Sequence, residues 1–510
     1  MAPETKPPVT SDGTEGSLRR KTERGLIWAA GEALGRAVLQ FAVLAVLARL
    51  LTPADYGVVG AALVIVGVST IFAQLGVGPA VVQRENLRPE HLDAAFWASL
   101  ILGIFTGGVI ALTAPWMAEF FRIPALAPAL RALSLVFPLT GISVVSESLL
   151  QRDLHFDRLA RAEVLSYGLG YGGVGIALAW IGWGWWALVC AQAAQTVVRT
   201  ALLFRAQHWR PRLAFDRSAL RDLREFSTGL TAARLANYVA VSGDNLVVGR
   251  CLGDVALGLY GRAYALMGQP ANLIGNVLEK VLFPAMSRVQ NDNARLAEVY
   301  RDGVGVLATL TLPASAAIYL LAPEIVTLLL GPRWGEAVPI LQIFAIGLLA
   351  RTSMKMSNSL IRAKGAVFQM ATCQFLYATA VVGFAIAGQR GGLEGTALGV
   401  LAAIVGCYLL AAGMSLRLVG ATWAQFVQRH LPGAGLAILV FAGGWLPCTM
   451  LRQHNTAPLL IVLLATIGMA LPALIAVLAF PVTFLGPLEP RLRGVRARFW
   501  PAKAVGTTTS

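Results

Sequence analysis

The sequence consists largely of long apolar stretches separated by short polar gaps, and this pattern restricts the chain to a membrane protein with many spans. A helix needs about 20 apolar residues to cross the hydrocarbon core of a bilayer. Stretches such as Val58–Val82, Ala94–Ala114 and Leu459–Phe480 are at or near that length. Only 14% of the 510 residues are charged, whereas soluble chains carry about 25%. We therefore predict an all-α, polytopic integral membrane protein.

About 14 transmembrane helices are predicted from length and hydropathy. Their approximate ranges in chain order are 26–50, 57–82, 92–114, 124–150, 159–181, 184–204, 226–250, 256–283, 303–322, 336–361, 366–388, 393–416, 431–451 and 457–482. Clusters of Arg and Lys occupy both tails and the gaps after even-numbered spans, whereas the other gaps hold isolated basic residues. Because basic residues stay on the cytoplasmic side, we expect both termini in the cytoplasm.

The longest basic gap, Arg205–Arg224, divides the chain into two halves. Similar residues precede the second span of each half, namely Ala48-Arg49-Leu50-Leu51 with Tyr56-Gly57 and Gly249-Arg250-Cys251-Leu252 with Tyr260-Gly261. An even number of spans separates the two copies, which predicts a parallel repeat. The predicted organisation is a disordered cytoplasmic tail at 1–24, an N-lobe of spans 1–6 at 25–204, a basic cytoplasmic linker at 205–225, a C-lobe of spans 7–12 at 226–416, an extra helix pair at 417–485 and a cytoplasmic tail at 486–510.

A net charge of +15 raises the question of nucleic-acid binding. The basic residues instead form short clusters between apolar runs, which places them against anionic lipid head groups. We therefore expect anionic membrane lipids as partners and no nucleic acid. The five Cys residues have no paired spacing and the five His residues are scattered over different gaps. The sequence thus predicts no disulfide, metal site or cofactor.

Polar residues recur on single faces of several spans, where each charge costs roughly 2.5–3.5 kcal/mol on insertion scales. A stripe of several polar groups has no reason to face lipid, so we expect these faces to line a water-filled cavity. Cations outnumber carboxylates there. This excess favours an anionic substrate, because Arg matches phosphate oxygens and Lys acts as a point charge. The predicted substrate-cavity residues are Arg36, Arg234, Arg262, Asn272, Asn276, Arg351 and Lys355.

The acidic minority suggests a second role. A carboxylate that faces an aqueous cavity can bind a proton or a sodium ion and couple its gradient to a conformational change. Asp244 with Asn245 is the first candidate for ion coupling, followed by Glu32 and Glu279. The alternative for each carboxylate is a salt bridge to a neighbouring arginine.

Two spans of the first half carry further polar stripes. These consist of Glu163, Ser166 and Tyr167 on span 5, and of Gln192, Gln195 and Arg199 on span 6. For charged residues near span ends, such as Arg199, Lys280 and Arg362, a structural ion pair or a side chain that extends to the interface is an equally good explanation.

Four segments of the sequence resemble a known family. "ARLLTPADYGVVG" (48–60) resembles the signature after the first helix of the bacterial polysaccharide-transport (Wzx-like) flippases, and "LGVGPAVVQRE" (75–85) is similar to the end of their second helix. "DNLVVGRCLGDVALGLYGRAYALMGQP" (244–270) and "VLFPAMSRVQND" (281–292) resemble the branch that includes colanic-acid and other exopolysaccharide exporters. This family belongs to the multidrug/oligosaccharidyl-lipid/polysaccharide exporter superfamily.

The resemblance implies two pseudo-symmetric six-helix lobes around a central cavity, with an extra C-terminal helix pair. It implies a transporter without catalytic residues that flips undecaprenyl-diphosphate-linked oligosaccharide repeat units to the periplasmic leaflet by alternating access. The setting would be the bacterial cytoplasmic (inner) membrane, in exopolysaccharide or lipopolysaccharide assembly. The cationic cavity fits a diphosphate head group. The implied partners are the polyprenyl-diphosphate-linked oligosaccharide and, as a further candidate, the polysaccharide polymerase and export machinery.

Alternative functions remain at this point. A drug/cation antiporter and a peptidoglycan-precursor flippase share the superfamily, although an antiporter for cationic drugs favours an acidic cavity. A membrane polysaccharide polymerase or ligase would be an enzyme. Such enzymes usually have fewer spans and one large outer loop, and the outer gaps of this sequence are short.

Overall fold

The computed structural model of the protein describes residues 35, 37–74, 76–84, 86–207, 209–212 and 227–485. Within the helices, this description leaves out the side chains of residues 227–233, 276, 277, 281, 367, 482 and 485. The described chain consists of helices and short connections, and no strand occurs in it. The predicted tails at 1–24 and 486–510, and most of the predicted linker at 205–225, lie outside the described residues.

Six helices make up the first half of the chain. They are α1 (Ala37–Leu50), α2 (Pro53–Gln74), α3 (Pro89–Phe121), α4 (Leu126–Leu133 and Val136–Arg152), α5 (Phe156–Tyr167, Gly168–Gly175 and Ile176–Trp180) and α6 (Trp185–Ala206). A short helix, Val77–Gln83, follows α2. The middle part of α5 is π-helical, and this glycine-rich segment lies where neighbouring helices approach closely.

The second half begins with a continuous helical segment, Ser227–Arg288, that Gly253 divides into α7 (227–252) and α8 (254–288). The remaining helices are α9 (Asn293–Leu329), α10 (Ala337–Ile346 and Leu348–Ala363), α11 (Val367–Gly388), α12 (Gly392–Val419), α13 (Leu431–Gln453) and α14 (Pro458–Ala479). Short helices Trp423–Gln428 and Pro481–Leu485 flank the last pair.

Glycines end helices where the chain must reverse direction. Gly253 has φ 88°, a conformation that costs a residue with a Cβ atom considerable strain. Gly392 has φ 68° in the turn from α11 to α12. The two helices are so close there that a Cβ atom on Gly388 would lie 2.2 Å from the carbonyl oxygen of Gly395. These positions therefore fix two of the hairpins of the second half.

The helix count agrees with the predicted topology. Eight described segments are long and apolar enough to cross a bilayer, and nine if the two parts of α10, which meet at 43°, form one span. One of these segments, Phe368–Val419, contains both α11 and α12. Four of the fourteen helices do not meet this criterion of length and hydropathy. They are α1, of which the described part is short, and α5, α7 and α8, which carry polar stripes. Fourteen helices thus follow one another along the described residues, which confirms the predicted fold class.

The connections define two faces of the molecule. We call the side that holds the connections after even-numbered helices the basic face. The described residues of its connections are 84, 86–88, 153–155, 207, 209–212, 289–292, 364–366 and 420–430. The other side, called the opposite face, holds the connections at 51–52, 122–125, 181–184, 253, 330–336, 389–391 and 454–457.

The two halves pack together through reciprocal contacts of α2 and α8. A Cβ atom on Gly57 would lie 1.8 Å from the carbonyl oxygen of Asp254, and one on Gly258 would lie 1.9 Å from that of Pro53. Pro53 and Asp254 each stand four residues before the glycine of their own helix. The contact therefore relates the two halves by a pseudo-twofold axis and pairs Gly57 with Gly258, three residues from the Gly57–Gly261 pairing that the sequence suggested.

Further contacts close the same end of the interface. The Trp334 indole nitrogen, between α9 and α10, donates to the carbonyl oxygen of Ala48 at 2.9 Å, and its ring meets the Tyr56 ring edge-on at 5.4 Å. Arg49 donates to the carbonyl oxygen of Leu328, near the end of α9, at 2.7 Å. Because all these residues lie near the opposite face, the two halves are joined at that end.

The extra helix pair is attached to α9 by a charged anchor. Arg452 donates to both carboxylate oxygens of Glu324, at 2.8 and 2.7 Å, and to the carbonyl oxygen of Leu320 at 2.6 Å. The Glu324 side chain is only 5% exposed. Close packing accompanies this anchor, since a Cβ atom on Gly433 would lie 2.4 Å from the carbonyl oxygen of Ala308.

Candidate functional site

The predicted polar stripes of α8 and α10 face each other inside the second half. The guanidinium carbon of Arg351 lies 4.4 Å from the centre of the Tyr264 ring. One turn nearer the basic face, the Lys355 ammonium group donates to the Asn272 side-chain oxygen at 3.2 Å. Three of the predicted cavity residues are therefore in one place, and residues 351 and 355 lie on the same face of α10 because their spacing is about one turn.

Arg351 has an unsatisfied hydrogen-bonding group. Its Nη1 atom is buried and has no hydrogen-bond partner. A buried donor without an acceptor costs about 1–3 kcal/mol, and a charged donor costs more. The Tyr264 ring covers one side of the cation, but it does not replace an in-plane acceptor for Nη1. An anion with oxygen acceptors would remove this cost, and Lys355 adds a second positive charge for it.

Arg262 contributes a cation at the boundary between the halves. A cavity of about 220 Å³ lies among α2, α7 and α8, and its lining includes Arg262, Tyr238 and Asn245. The guanidinium carbon of Arg262 lies 4.6 Å from the centre of the Tyr56 ring, which belongs to the first half. Among the described residues, no carboxylate forms an ion pair with Arg262. Its charge is therefore available to a ligand in the cavity.

Asp244 lies in a different environment from its neighbour Asn245. The Asp244 carboxylate is buried and accepts hydrogen bonds from the Tyr260 hydroxyl at 2.8 Å, from the Asn245 backbone nitrogen at 2.8 Å and from the Asn245 side-chain nitrogen at 3.2 Å. These donors compensate for the loss of water around the carboxylate. Asn245 itself lines the cavity beside Arg262, so it connects the buried carboxylate with that space.

The other predicted residues are distributed as follows. Glu279 forms an ion pair with Arg362, which is the alternative that the sequence left open for it. Arg234 is half-buried on α7, one turn before Asn237; the side-chain oxygen of Asn237 accepts from Gln374 of α11 at 3.1 Å. Glu32 and Arg36 lie outside the described residues, and only the backbone of Asn276 is described.

A second polar cavity lies within the first half, where the sequence predicted stripes but no site. Its volume is about 310 Å³, and its lining comes from α2, α4, α5 and α6. Arg199 at its wall pairs with Glu147 at 2.9 Å and with Glu163 at 3.1 Å. Sequence reasoning missed Glu147. The signal was present, because an ionisable residue inside an apolar span marks a site by default.

Sequence comparison places the chain beside proteins of polysaccharide assembly. A profile for the family described as "Polysaccharide biosynthesis protein" matches residues 46–387. The lipopolysaccharide biosynthesis protein WzxC of Escherichia coli (strain K12) is 26% identical over 422 residues, covering 81% of this chain and 84% of WzxC. The succinoglycan biosynthesis transport protein ExoT of Rhizobium meliloti (strain 1021) is 27% identical over 323 residues, covering 63% of this chain and 65% of ExoT.

Two solved structures have a similar fold. The lipid II flippase MurJ in an inward closed conformation superposes with a TM-score of 0.73 at 12% identity, covering 89% of this chain and 99% of MurJ. A multidrug resistance MATE family transporter in an inward-facing conformation gives a TM-score of 0.63 at 18% identity, covering 76% and 94%. At these identities the likeness concerns the fold alone.

Proposed function

Because the profile matches well over half of its length, the chain belongs to the polysaccharide biosynthesis protein family, and we propose that it flips undecaprenyl-diphosphate-linked oligosaccharide repeat units across the membrane. The direction is from the cytoplasmic to the periplasmic leaflet, for exopolysaccharide or lipopolysaccharide assembly. The names of WzxC and ExoT support this choice of substrate class. The observation that carries it is the buried Nη1 atom of Arg351, which lacks an acceptor that a diphosphate oxygen would supply.

The proposed mechanism is alternating access between the two faces. The basic face is cytoplasmic, since basic connections stay on that side, and both termini lie there in the bacterial inner membrane. The reciprocal glycine contact and Trp334 hold the halves together on the periplasmic side. A substrate that enters from the cytoplasm would bind its diphosphate to Arg351, Lys355 and Arg262, and separation of the halves on the other side would release it.

Ion coupling is a separate part of the proposal. Asp244 with Asn245 is the first candidate for binding a proton or a sodium ion, because the carboxylate is buried beside a cavity that Asn245 lines. Glu279 and Glu32 are the second candidates. The chain needs no catalytic residue for flipping, and anionic lipids at the basic face and the polysaccharide polymerase are its proposed partners. The positive charges of α8 and α10 count against a drug/cation antiporter.

The test is complementation of a bacterium that lacks its own flippase gene. Arg351→Gln, Lys355→Gln and Arg262→Gln are compared with wild type at matched expression, and Arg390→Gln, exposed on the opposite face, is the control. Loss of one charge-assisted hydrogen bond of about 1.5–3 kcal/mol should weaken binding roughly ten- to hundredfold. Surface polysaccharide should fall and lipid-linked repeat units should accumulate inside, except in the control. Failure of the wild-type protein to restore any surface polysaccharide would refute the function.

A further inference from the structure

The cavity of the first half has the lining of a carbohydrate site. Its volume of about 310 Å³ is at the lower end of the range for ligand pockets, so it suits one or two monosaccharide units. Most of its lining side chains carry hydrogen-bonding groups, among them those of Thr70, Thr140, Ser143, Gln192 and Gln195. Such a surface inside a membrane protein needs water or a polar ligand.

The charges around this cavity do not suit a phosphate group. Arg199 lies between Glu147 and Glu163, so two carboxylates oppose its single positive charge. An anion would be repelled by the excess carboxylate, whereas sugar hydroxyls can donate to carboxylates and accept from guanidinium nitrogens. The first half thus offers hydroxyl recognition, and the second half offers the positive charges of Arg262, Arg351 and Lys355.

Several hydrogen-bonding groups in the cavity are not used within the protein. Gln195 makes no side-chain hydrogen bond to any described residue. Gln192 accepts from the Tyr171 hydroxyl at 2.8 Å, which leaves its amide nitrogen for a ligand. The hydroxyls of Thr70 and Thr140 donate to carbonyl oxygens one turn earlier on their own helices, at 2.7 and 2.8 Å. Their lone pairs are left to accept from a ligand hydroxyl.

Tyrosine rings lie beside this cavity and also beside the cation at the boundary of the halves. Tyr171, which bonds to Gln192, stacks on Tyr167 with ring centres 5.2 Å apart. At the boundary of the halves, the guanidinium carbon of Arg262 lies 4.6 Å from the centre of the Tyr56 ring. A ligand with a sugar at one end and a diphosphate at the other would therefore meet tyrosine rings at both sites.

We propose that the cavity lined by Gln192, Gln195, Thr70 and Thr140 binds a sugar unit of the lipid-linked oligosaccharide while the cations of the second half bind its diphosphate. This inference rests on the proposed function. It makes the two amides specificity-determining residues, since they would contact the part of the substrate that differs between polysaccharides.

The experiment measures binding to the full-length protein in lipid nanodiscs. The probes are undecaprenyl diphosphate without sugar and the repeat-unit lipid extracted from the flippase-deleted host that wild type complements. Gln192→Ala and Gln195→Ala should weaken binding of the repeat-unit lipid about tenfold and leave binding of undecaprenyl diphosphate unchanged. Arg351→Gln should weaken both. Gln453→Ala, exposed on the opposite face, is the matched control and should bind both probes like wild type.

The possible outcomes distinguish failure of the sugar site from failure of the flippase function. Unchanged binding of undecaprenyl diphosphate shows that a Gln variant is folded. Equal affinity of wild type and both Gln variants for the repeat-unit lipid, or equal weakening of both probes, would overturn the sugar site while leaving the flippase function intact. If wild type binds neither probe, the proposed function itself fails. Sodium binding that disappears in Glu163→Gln, with sugar binding unchanged, would make the cavity a cation site and also overturn the inference.

Discussion

Addition of one methyl group at the contact of α2 and α8 should separate the two halves at the opposite face of the protein. In Gly57→Ala the new Cβ atom would lie 1.8 Å from the carbonyl oxygen of Asp254, and real Cβ contacts are essentially never below 3.0 Å. The two helices must therefore move apart by at least about 1.2 Å, which is 3.0 less 1.8. A backbone carbonyl cannot rotate away as the end of a flexible side chain can, so the shift involves whole helices.

The magnitude follows from the cost of overpacking. Insertion of a methyl group into a packed contact costs about 1–3 kcal/mol. If this cost falls on the closed state alone, the ratio of open to closed molecules rises about 5- to 150-fold. Gly258→Ala should have a similar effect, because its Cβ atom would lie 1.9 Å from the carbonyl oxygen of Pro53. The two variants should shift the ratio of open to closed molecules by a similar factor, because the pseudo-twofold axis makes their contacts equivalent.

The assay is pulsed electron spin resonance between labels on the two halves. Spin-labelled cysteines replace Arg131 and Arg390, which are exposed residues of the two halves. All native cysteines are removed from the protein that carries these labels. Wild type should give mainly the short distance, and the two alanine variants should gain a longer one. Gly60→Ala is the matched control, because its Cβ atom would meet the Leu257 side chain at an ordinary 3.5 Å. Distance distributions of Gly57→Ala and Gly258→Ala that match wild type would refute the role of this contact.

Two further predictions concern stability. Arg452→Ala leaves the Glu324 carboxylate, 5% exposed, without its partner, and should lower the free energy of unfolding by about 3 kcal/mol; thermal unfolding in detergent would measure it, and no loss would show that the anchor of the extra pair is dispensable. Burial lowers the pKa of His430, which precedes α13 at the basic face, so the unfolded chain takes up a proton at higher pH than the folded one. Wild type should therefore lose stability as the pH falls below about 6.5, and His430→Gln should lose less.

The sequence predicted the helices well because the bilayer imposes a local rule. Every span must satisfy its own backbone hydrogen bonds and expose apolar side chains, so length and hydropathy suffice for α2 or α14. The same rule identifies polar faces, and the stripes of Lys355 and Asn272 do meet. The periodicity of one helix does not reveal which residue of a neighbouring helix pairs with each polar group. Arg199 pairs with Glu147, 52 positions earlier, and that register depends on how α4 and α6 pack.

The alignment of the two halves also depends on helix packing that the sequence alone does not show. The sequence matched Arg49 with Arg250, an offset of 201, and Gly57 with Gly261, an offset of 204. The contacts pair Gly57 with Gly258 and so agree with the first offset. The packing of α2 on α8 decides between the two offsets, because both place a glycine and an apolar run after the turn. For Asp244, the sequence identified an ionisable residue within a span but could not place the Tyr260 hydroxyl, which comes from the next helix, on its carboxylate.

The pairing of Gly57 with Gly258 shows which residues of the two halves are equivalent and which are not. Its offset is 201 residues, which is 258 less 57, and it also pairs Arg49 with Arg250. Under the same offset, Arg262 corresponds to Ala61 and Asp244 to Val43. The contact that closes the two halves is thus built from equivalent residues, as a motion about a pseudo-twofold axis requires. Arg262 and Asp244 therefore have no charged counterpart at the equivalent positions of the first half, which agrees with the proposal that the diphosphate binds in the second half and a sugar unit in the first.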